Sequence, residues 1–96
     1  MRILSGKNAI VTGGSKGIGK SVCLALAQAG ANIFILDTNK KEGLKTIKEV
    51  SCHGNEASFV EINVAKEDEW INFSNSLEKN NKTVDILINN AGVWLG

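Results

Sequence analysis

Ninety-six residues, 43% hydrophobic and 22% charged, describe one small globular domain and not a disordered chain. A formal net charge of +1 gives no electrostatic basis for binding nucleic acid or an anionic membrane. The opening Met-Arg-Ile-Leu-Ser-Gly-Lys has no signal-peptide core, and no apolar run approaches the roughly 20 residues of a membrane span. Cys23 and Cys52 fit no metal or redox spacing, so the expectation is a reduced, cytoplasmic chain with no metal site.

Asn8 to Thr12 reads as a buried strand, because Ala9, Ile10 and Val11 run without polar interruption. A glycine turn follows over Gly13 to Gly17. Ile18 to Ala29 is predicted helical, with Ile18, Val22, Ala25, Leu26 and Ala29 as its apolar stripe and Gly30 as the residue that stops it. Asn32 to Asp37 is a second strand. Asn39 and Glu42 fit a capping box that opens a helix running to about Val50, with Leu44 and Ile47 facing inward. Gly43 inside that helix costs ~1 kcal/mol relative to alanine. Ala57 to Asn63 is a third strand. Lys66 to Lys79 is a third helix, with Trp70, Phe73 and Leu77 on one face and Glu67, Asp68 and Glu69 at its dipole-positive end. Val84 to Asn89 is a fourth strand.

The resulting β-α-β-α-β-α-β order, with short links, implies a parallel sheet with right-handed crossovers. The fold class expected is α/β, a Rossmann-type doubly wound sheet over residues 1–96 with strand order 3-2-1-4. Ligands bind such sheets at the carboxyl edge beside the switch point between strands 1 and 4. Gly13 to Gly19 and Asn89 to Gly92 both fall there.

The turn itself is ambiguous. Thr12-Gly13, Gly17 and Gly19 form Thr-Gly-x-x-x-Gly-x-Gly, in which Gly13 permits a tight turn, Gly17 leaves room for a pyrophosphate and Gly19 lets helix and strand approach. The letters from Gly14 to Ser21 equally satisfy the P-loop pattern G-x-x-x-x-G-K-S. Asp37, at the end of strand 2 and eighteen residues past Gly19, favours the dinucleotide. Its carboxylate can accept from an adenosine ribose 2′-hydroxyl and would repel a 2′-phosphate, which favours NAD over NADP. Lys16 pulls towards NADP, but an exposed lysine pair contributes only ~0–1 kcal/mol. Asn63-Val64 ends strand 3 near the expected adenine, and Asn89-Asn90 can tie strand ends together while Ala91 and Gly92 leave space. His53 stands alone, Cys23 reads as a small core residue, Trp70 and Phe73 read as core, and Trp94 could border a substrate.

Together, T-G-G-S-K-G-I-G at 12–19, Asp37, Asn63-Val64 and N-N-A-G at 89–92 resemble the short-chain dehydrogenase/reductase family over the whole chain. The nearest types are 3-oxoacyl-carrier-protein reductases and sugar or polyol dehydrogenases. The resemblance implies a nicotinamide dinucleotide cofactor, NAD with NADP as the second possibility. It implies that Gly13, Ser15, Lys16, Gly17, Ile18 and Gly19 line the pyrophosphate and ribose. Asp37 would hold the adenosine ribose and Asn63 and Val64 the adenine, while Asn90, Ala91 and Gly92 would support the nicotinamide-side ribose. It further implies a homo-oligomeric parent.

The family's chemistry uses a serine and a Tyr-x-x-x-Lys pair placed after N-N-A-G. This sequence has four residues beyond that motif and no tyrosine, so an N-terminal part, inactive in hydride transfer by itself, is the expectation. Ala65 stands where a Ser or Thr helix cap is common in the family, at a cost of ~1 kcal/mol. Two other readings are a P-loop NTPase and a non-catalytic short binding protein. The P-loop reading lacks a strand-end acid for Mg²⁺ other than Asp37. An uncovered strand 4 edge would favour self-association of the isolated chain.

Overall fold

The computed structural model describes residues 3–15, 17–51, 55–63 and 65–90. The elements are β1 (Asn8–Thr12), α1 (Gly17–Gln28), β2 (Asn32–Asp37), α2 (Lys40–Val50), β3 (Ala57–Glu61), α3 (Glu67–Lys79) and β4 (Ile86–Asn89). All strand pairs are parallel, in the order β3-β2-β1-β4. The register pairs Thr12 with Leu36 and Asn89, and Asp37 with Glu61, so the carboxyl ends of all four strands lie along one edge.

Alternation along the strands builds two cores. Ala9, Val11, Ile33 and Ile35 point to one face and pack with Cys23 and Ala27 of α1 and Val50 of α2. Ile10 and Leu36 point to the other and meet Phe73 and Leu77 of α3, with Phe34, Val60 and Trp70 at the margin. Phe34 and Phe73 meet edge to face at 6.0 Å. Phe73 therefore belongs to the core, as its spacing suggested, while Trp70 is partly buried and packs against it.

Small residues bring α1 close to the sheet. Its buried side is Gly19, Cys23 and Ala27, whereas Ile18 is 75% exposed and Ala25 is also exposed. The expected stripe from Ile18 is thus out of phase; only its members Val22, Leu26 and Ala29 are even half-buried. The helix ends with Gly30 N–H donating to the Ala27 carbonyl (2.9 Å) and Ala31 N–H to Leu26 (3.0 Å), the paired bonds of a glycine C-terminal cap.

In α2 the buried residues are Gly43, Thr46 and Val50, while Leu44 is 46% exposed; of the two expected inward residues, only Ile47 packs against the core. A Cβ on Gly43 would overlap the Phe59 ring, which explains a glycine inside this helix. Asn39 caps it, its Oδ1 accepting from Glu42 N–H at 3.2 Å. Asn39's own N–H goes to Asp37 Oδ1 (3.3 Å).

β3 stops at Glu61, two residues short of the expected end, because Asn63 turns the chain: its Oδ1 accepts from Ala65 N–H (3.0 Å) and its N–H donates to Glu69 Oε1 (3.0 Å). The N-cap of α3 is Lys66, one residue beyond Ala65, and it makes no side-chain capping bond. β4 begins at Ile86, two residues later than expected.

Polar side chains lace the opposite, amino edge of the sheet. Asp85 Oδ2 accepts from Asn8 N–H (2.9 Å), Asn32 Nδ2 donates to Asn8 Oδ1 (3.2 Å), and Asn32 Oδ1 accepts from Glu56 N–H (3.0 Å). No helix among the described residues is long and apolar enough to cross a membrane.

Candidate functional site

The link between β1 and α1 is a left-handed turn at both ends. Gly13 has φ +65° and Gly17 φ +63°, a region that penalises a Cβ. A Cβ on Gly17 would meet nothing within 4 Å, so the turn opens to solvent there. At Gly19 the reverse holds: a Cβ would fall on the Gly13 carbonyl and 2.7 Å from Asn90 Nδ2. Gly19 is thus the point where α1, the β1 turn and the end of β4 close on one another. The first turn of α1 has no acidic side chain, whereas α2 and α3 carry Glu42 and Glu67, Asp68 and Glu69 at theirs. The positive end of the α1 dipole therefore has no acid from its own first turn beside the open turn.

Asp37 ends β2 next to this turn. Its Oδ1 accepts from Thr38 N–H (2.7 Å) and Asn39 N–H (3.3 Å), and its Oδ2 accepts from Ser15 N–H (3.3 Å). Oδ2 keeps acceptor capacity for a further donor. Ser15 is fully buried, and among the described residues its Oγ has no hydrogen-bond partner. An orphaned buried hydroxyl costs about 1–3 kcal/mol, a cost that a polar group brought against it would relieve.

From the other side, Asn90 N–H donates to Thr12 Oγ1 (2.8 Å), Thr12 Oγ1 donates to Asn89 Oδ1 (3.0 Å), and Asn90 Nδ2 donates to the Gly13 carbonyl (3.4 Å). The two amides therefore join the ends of β1 and β4, as expected. Asn63 lies two residues past β3 on the same sheet edge. The described site candidates, Gly13, Ser15, Gly17, Ile18, Gly19, Asp37, Asn63 and Asn90, all follow or close the carboxyl ends of strands. Lys16, Val64, Ala91 and Gly92, along with Cys52, His53 and Trp94, lie outside the described residues.

Sequence reasoning missed Thr46. Its Oγ1, fully buried on α2, donates to the Ser15 carbonyl at 2.6 Å. A polar residue inside the apolar face of α2 was the available signal.

The lysine and serine of the P-loop letters are engaged elsewhere in this structure. Lys20 Nζ sits 2.7 Å from Glu49 Oε2, tying α1 to α2, and Ser21 Oγ is 3.4 Å from the Gly17 carbonyl of its own helix. Among the described residues no group of three His, Cys, Asp or Glu could hold a metal. Cys23, buried under the turn with its Sγ 3.9 Å from the Gly14 carbonyl, has its thiol pushed up to about 12 by loss of solvent, with the backbone bond opposing. It stays protonated and unreactive at neutral pH.

Sheet order, crossover helices and a glycine turn at the switch point define a Rossmann-type α/β domain. Comparison with known proteins then narrows the class. The family model for short chain dehydrogenases matches residues 7–96. An uncharacterised oxidoreductase of Escherichia coli, YgcW, is 41% identical over 90 residues, which cover 94% of this chain and 34% of that protein. The 3-oxoacyl-[acyl-carrier-protein] reductase FabG of Staphylococcus epidermidis is 36% identical over 88 residues, covering 91% of this chain and 36% of the reductase. Among solved structures, an NAD⁺-bound xylitol dehydrogenase superposes with a TM-score of 0.87 at 33% identity, covering 94% of this chain and 35% of its own. The RhlG/NADP complex of Pseudomonas aeruginosa gives a TM-score of 0.83 at 30% identity, covering 96% and 37%. The chain belongs to the short-chain dehydrogenase family, and it spans about a third of the length of these relatives.

Proposed function

We propose that these 96 residues bind a nicotinamide dinucleotide along the carboxyl edge of the sheet, as the cofactor-binding part of an NAD(P)-dependent oxidoreductase. The observation that carries the reading is Asp37, a carboxylate held to the glycine turn by Ser15 N–H beside the N-terminus of α1, whose own first turn carries no acid. In this reading the pyrophosphate lies over Gly13, Ser15, Lys16, Gly17, Ile18 and Gly19, where the open side of Gly17 gives it room. Asp37 accepts from the adenosine ribose, Asn63 and Val64 border the adenine, and Asn90, Ala91 and Gly92 support the nicotinamide-side ribose. Bound there, the nicotinamide would supply the hydride exchanged with an alcohol or ketone in the parent activity.

None of these residues is proposed as catalytic. The sequence contains no tyrosine, so the family's usual proton donor is not among its residues, and binding without turnover is expected of this chain. NAD is the preferred cofactor, since Asp37 would face a ribose 2′-phosphate with like charge. We place the protein in the cytoplasm, as a homo-oligomer in its parent form and self-associating as the isolated chain.

Fluorescence titration with NADH, NADPH and Mg-ATP tests the reading. NADH should bind more tightly than NADPH, and Asp37→Ala should narrow that gap. Binding of ATP without either dinucleotide would overturn it.

A further inference from the structure

We infer that Thr46, a residue of α2 far from the glycine turn in sequence but bonded to it in space, is a positioning residue that sets the preference for NAD over NADP by holding Ser15 and, through it, Asp37; the inference rests on the dinucleotide reading above. Threonine hydroxyls within helices commonly bond back to a carbonyl one turn earlier. That of Thr46 instead reaches a carbonyl 31 residues away, at 2.6 Å and in full burial. Ser15 is thus held at both ends: its carbonyl by Thr46 and its N–H by Asp37 Oδ2 (3.3 Å). The carboxylate is fixed in turn on its other oxygen by Thr38 and Asn39 N–H.

The consequence is a carboxylate with little rotational freedom. A fixed Asp37 keeps one Oδ2 lone pair aimed for a ribose hydroxyl and cannot swing away from a 2′-phosphate. Without the Thr46 hydroxyl, the buried Ser15 carbonyl loses its partner and the Ser15 N–H contact loosens. The acid then gains freedom to turn from the phosphate. NADH loses an oriented acceptor while NADPH loses a repulsion, so the two affinities converge.

The test measures the dissociation constants of NADH and NADPH by fluorescence for the parent chain and for Thr46→Val, which keeps the shape and removes the hydroxyl. The ratio of the two constants should fall about fivefold, the effect of weakening one hydrogen bond to a charged group. The same substitution in an Asp37→Ala background should leave the ratio unchanged. A role confined to stability would lower the melting temperature and weaken both dinucleotides alike, and a parental ratio in folded Thr46→Val would overturn the inference while leaving the dinucleotide reading intact. Should Thr46→Val fail to fold, Thr46→Ser decides. It keeps the hydroxyl and loses a methyl, so a ratio within about twofold of the parent supports the inference, and a collapsed ratio overturns it. Failure of the parent chain to bind either dinucleotide would overturn the functional reading and this inference with it.

Discussion

Gly17 and Gly19, two residues apart, give a matched pair of alanine substitutions whose consequences should separate. At Gly17 a Cβ meets no atom within 4 Å, so Gly17→Ala carries mainly the cost of the left-handed backbone, about 1 kcal/mol. At Gly19 the new methyl would fall on the Gly13 carbonyl and against Asn90 Nδ2. Relief requires α1 to back away from the sheet, an overpacking cost of about 1–3 kcal/mol. The Asn90–Gly13 hydrogen bond, about 1 kcal/mol, goes with it, and the better helix propensity of alanine offsets about 1 kcal/mol. The net loss at Gly19 is about 1–3 kcal/mol, a fall of about 1–2 M in the urea midpoint at the slopes usual for small domains. Binding should show a second contrast. The methyl of Gly17→Ala enters the open space proposed for the pyrophosphate and should weaken NADH at least about tenfold, or about 1.4 kcal/mol. Urea unfolding of the ligand-free chain, paired with NADH titration, separates the two effects. Parental NADH affinity in Gly17→Ala, or a parental urea midpoint in Gly19→Ala, would refute the geometry on which the site rests.

Helix propensity alone predicts that Gly43→Ala stabilises the protein, but overlap with the Phe59 ring predicts a loss of about 1–2 kcal/mol; the urea midpoint gives the sign, and Phe59→Leu should relieve part of the loss. Cys23 favours its neutral form in the folded chain, so its contribution to stability is complete below the ordinary thiol value of 9.0 and is lost as pH rises towards about 12. Stability should therefore fall by about 1 kcal/mol per pH unit above about pH 9, and Cys23→Ala should flatten that slope in unfolding measured from about pH 8 to 10. Leu87 of β4 is 53% exposed beside an apolar groove of about 340 Å³ that Trp70, Phe73, Leu77 and Val84 also line. Leu87→Lys should reduce self-association by light scattering, and an unchanged particle size would show that this face beside β4 is not where copies meet. Asn39→Ala should cost about 1 kcal/mol in thermal or urea unfolding through loss of the α2 cap.

The central strands were legible because burial on both faces writes itself as uninterrupted apolar runs, and β1 and β2 consist of such a run with one polar residue at each end. The glycine turn and Asp37 were legible for a related reason: each occupies a strand end, a position that topology alone brings to the sheet edge. The phase of α1 was not legible. Hydropathy favours Ile18 and Leu26 as core, but a helix pressed against a flat sheet at close range selects small residues, and Gly19, Cys23 and Ala27 fill that contact. α2 repeats the lesson, burying Gly43 under Phe59 and leaving Leu44 half in water. β3 ended early for a local reason, since the Asn63 amide offers the chain a turn that competes with the ladder. Thr46 offered one signal, its polarity on the buried face of α2, but its partner was not legible, because that partner is a backbone carbonyl and carbonyls leave no trace in sequence.

The bond from Asn90 N–H to Thr12 Oγ1 spans 78 residues, and it sets a timetable for a chain made from its amino end. At about 5–20 residues per second, roughly 4–16 s separate synthesis of Thr12 from that of Asn90. Through that interval β1 has at most one neighbour, β2, with its other edge bare, and the Gly13 carbonyl lacks the amide that will close over it. The edge proposed to hold the dinucleotide is therefore completed late on the ribosome, after α1, α2 and α3 have all been made. A cofactor present in the cell has no finished edge to stabilise until then, and the emerging chain must keep its bare β1 edge from pairing wrongly without that help.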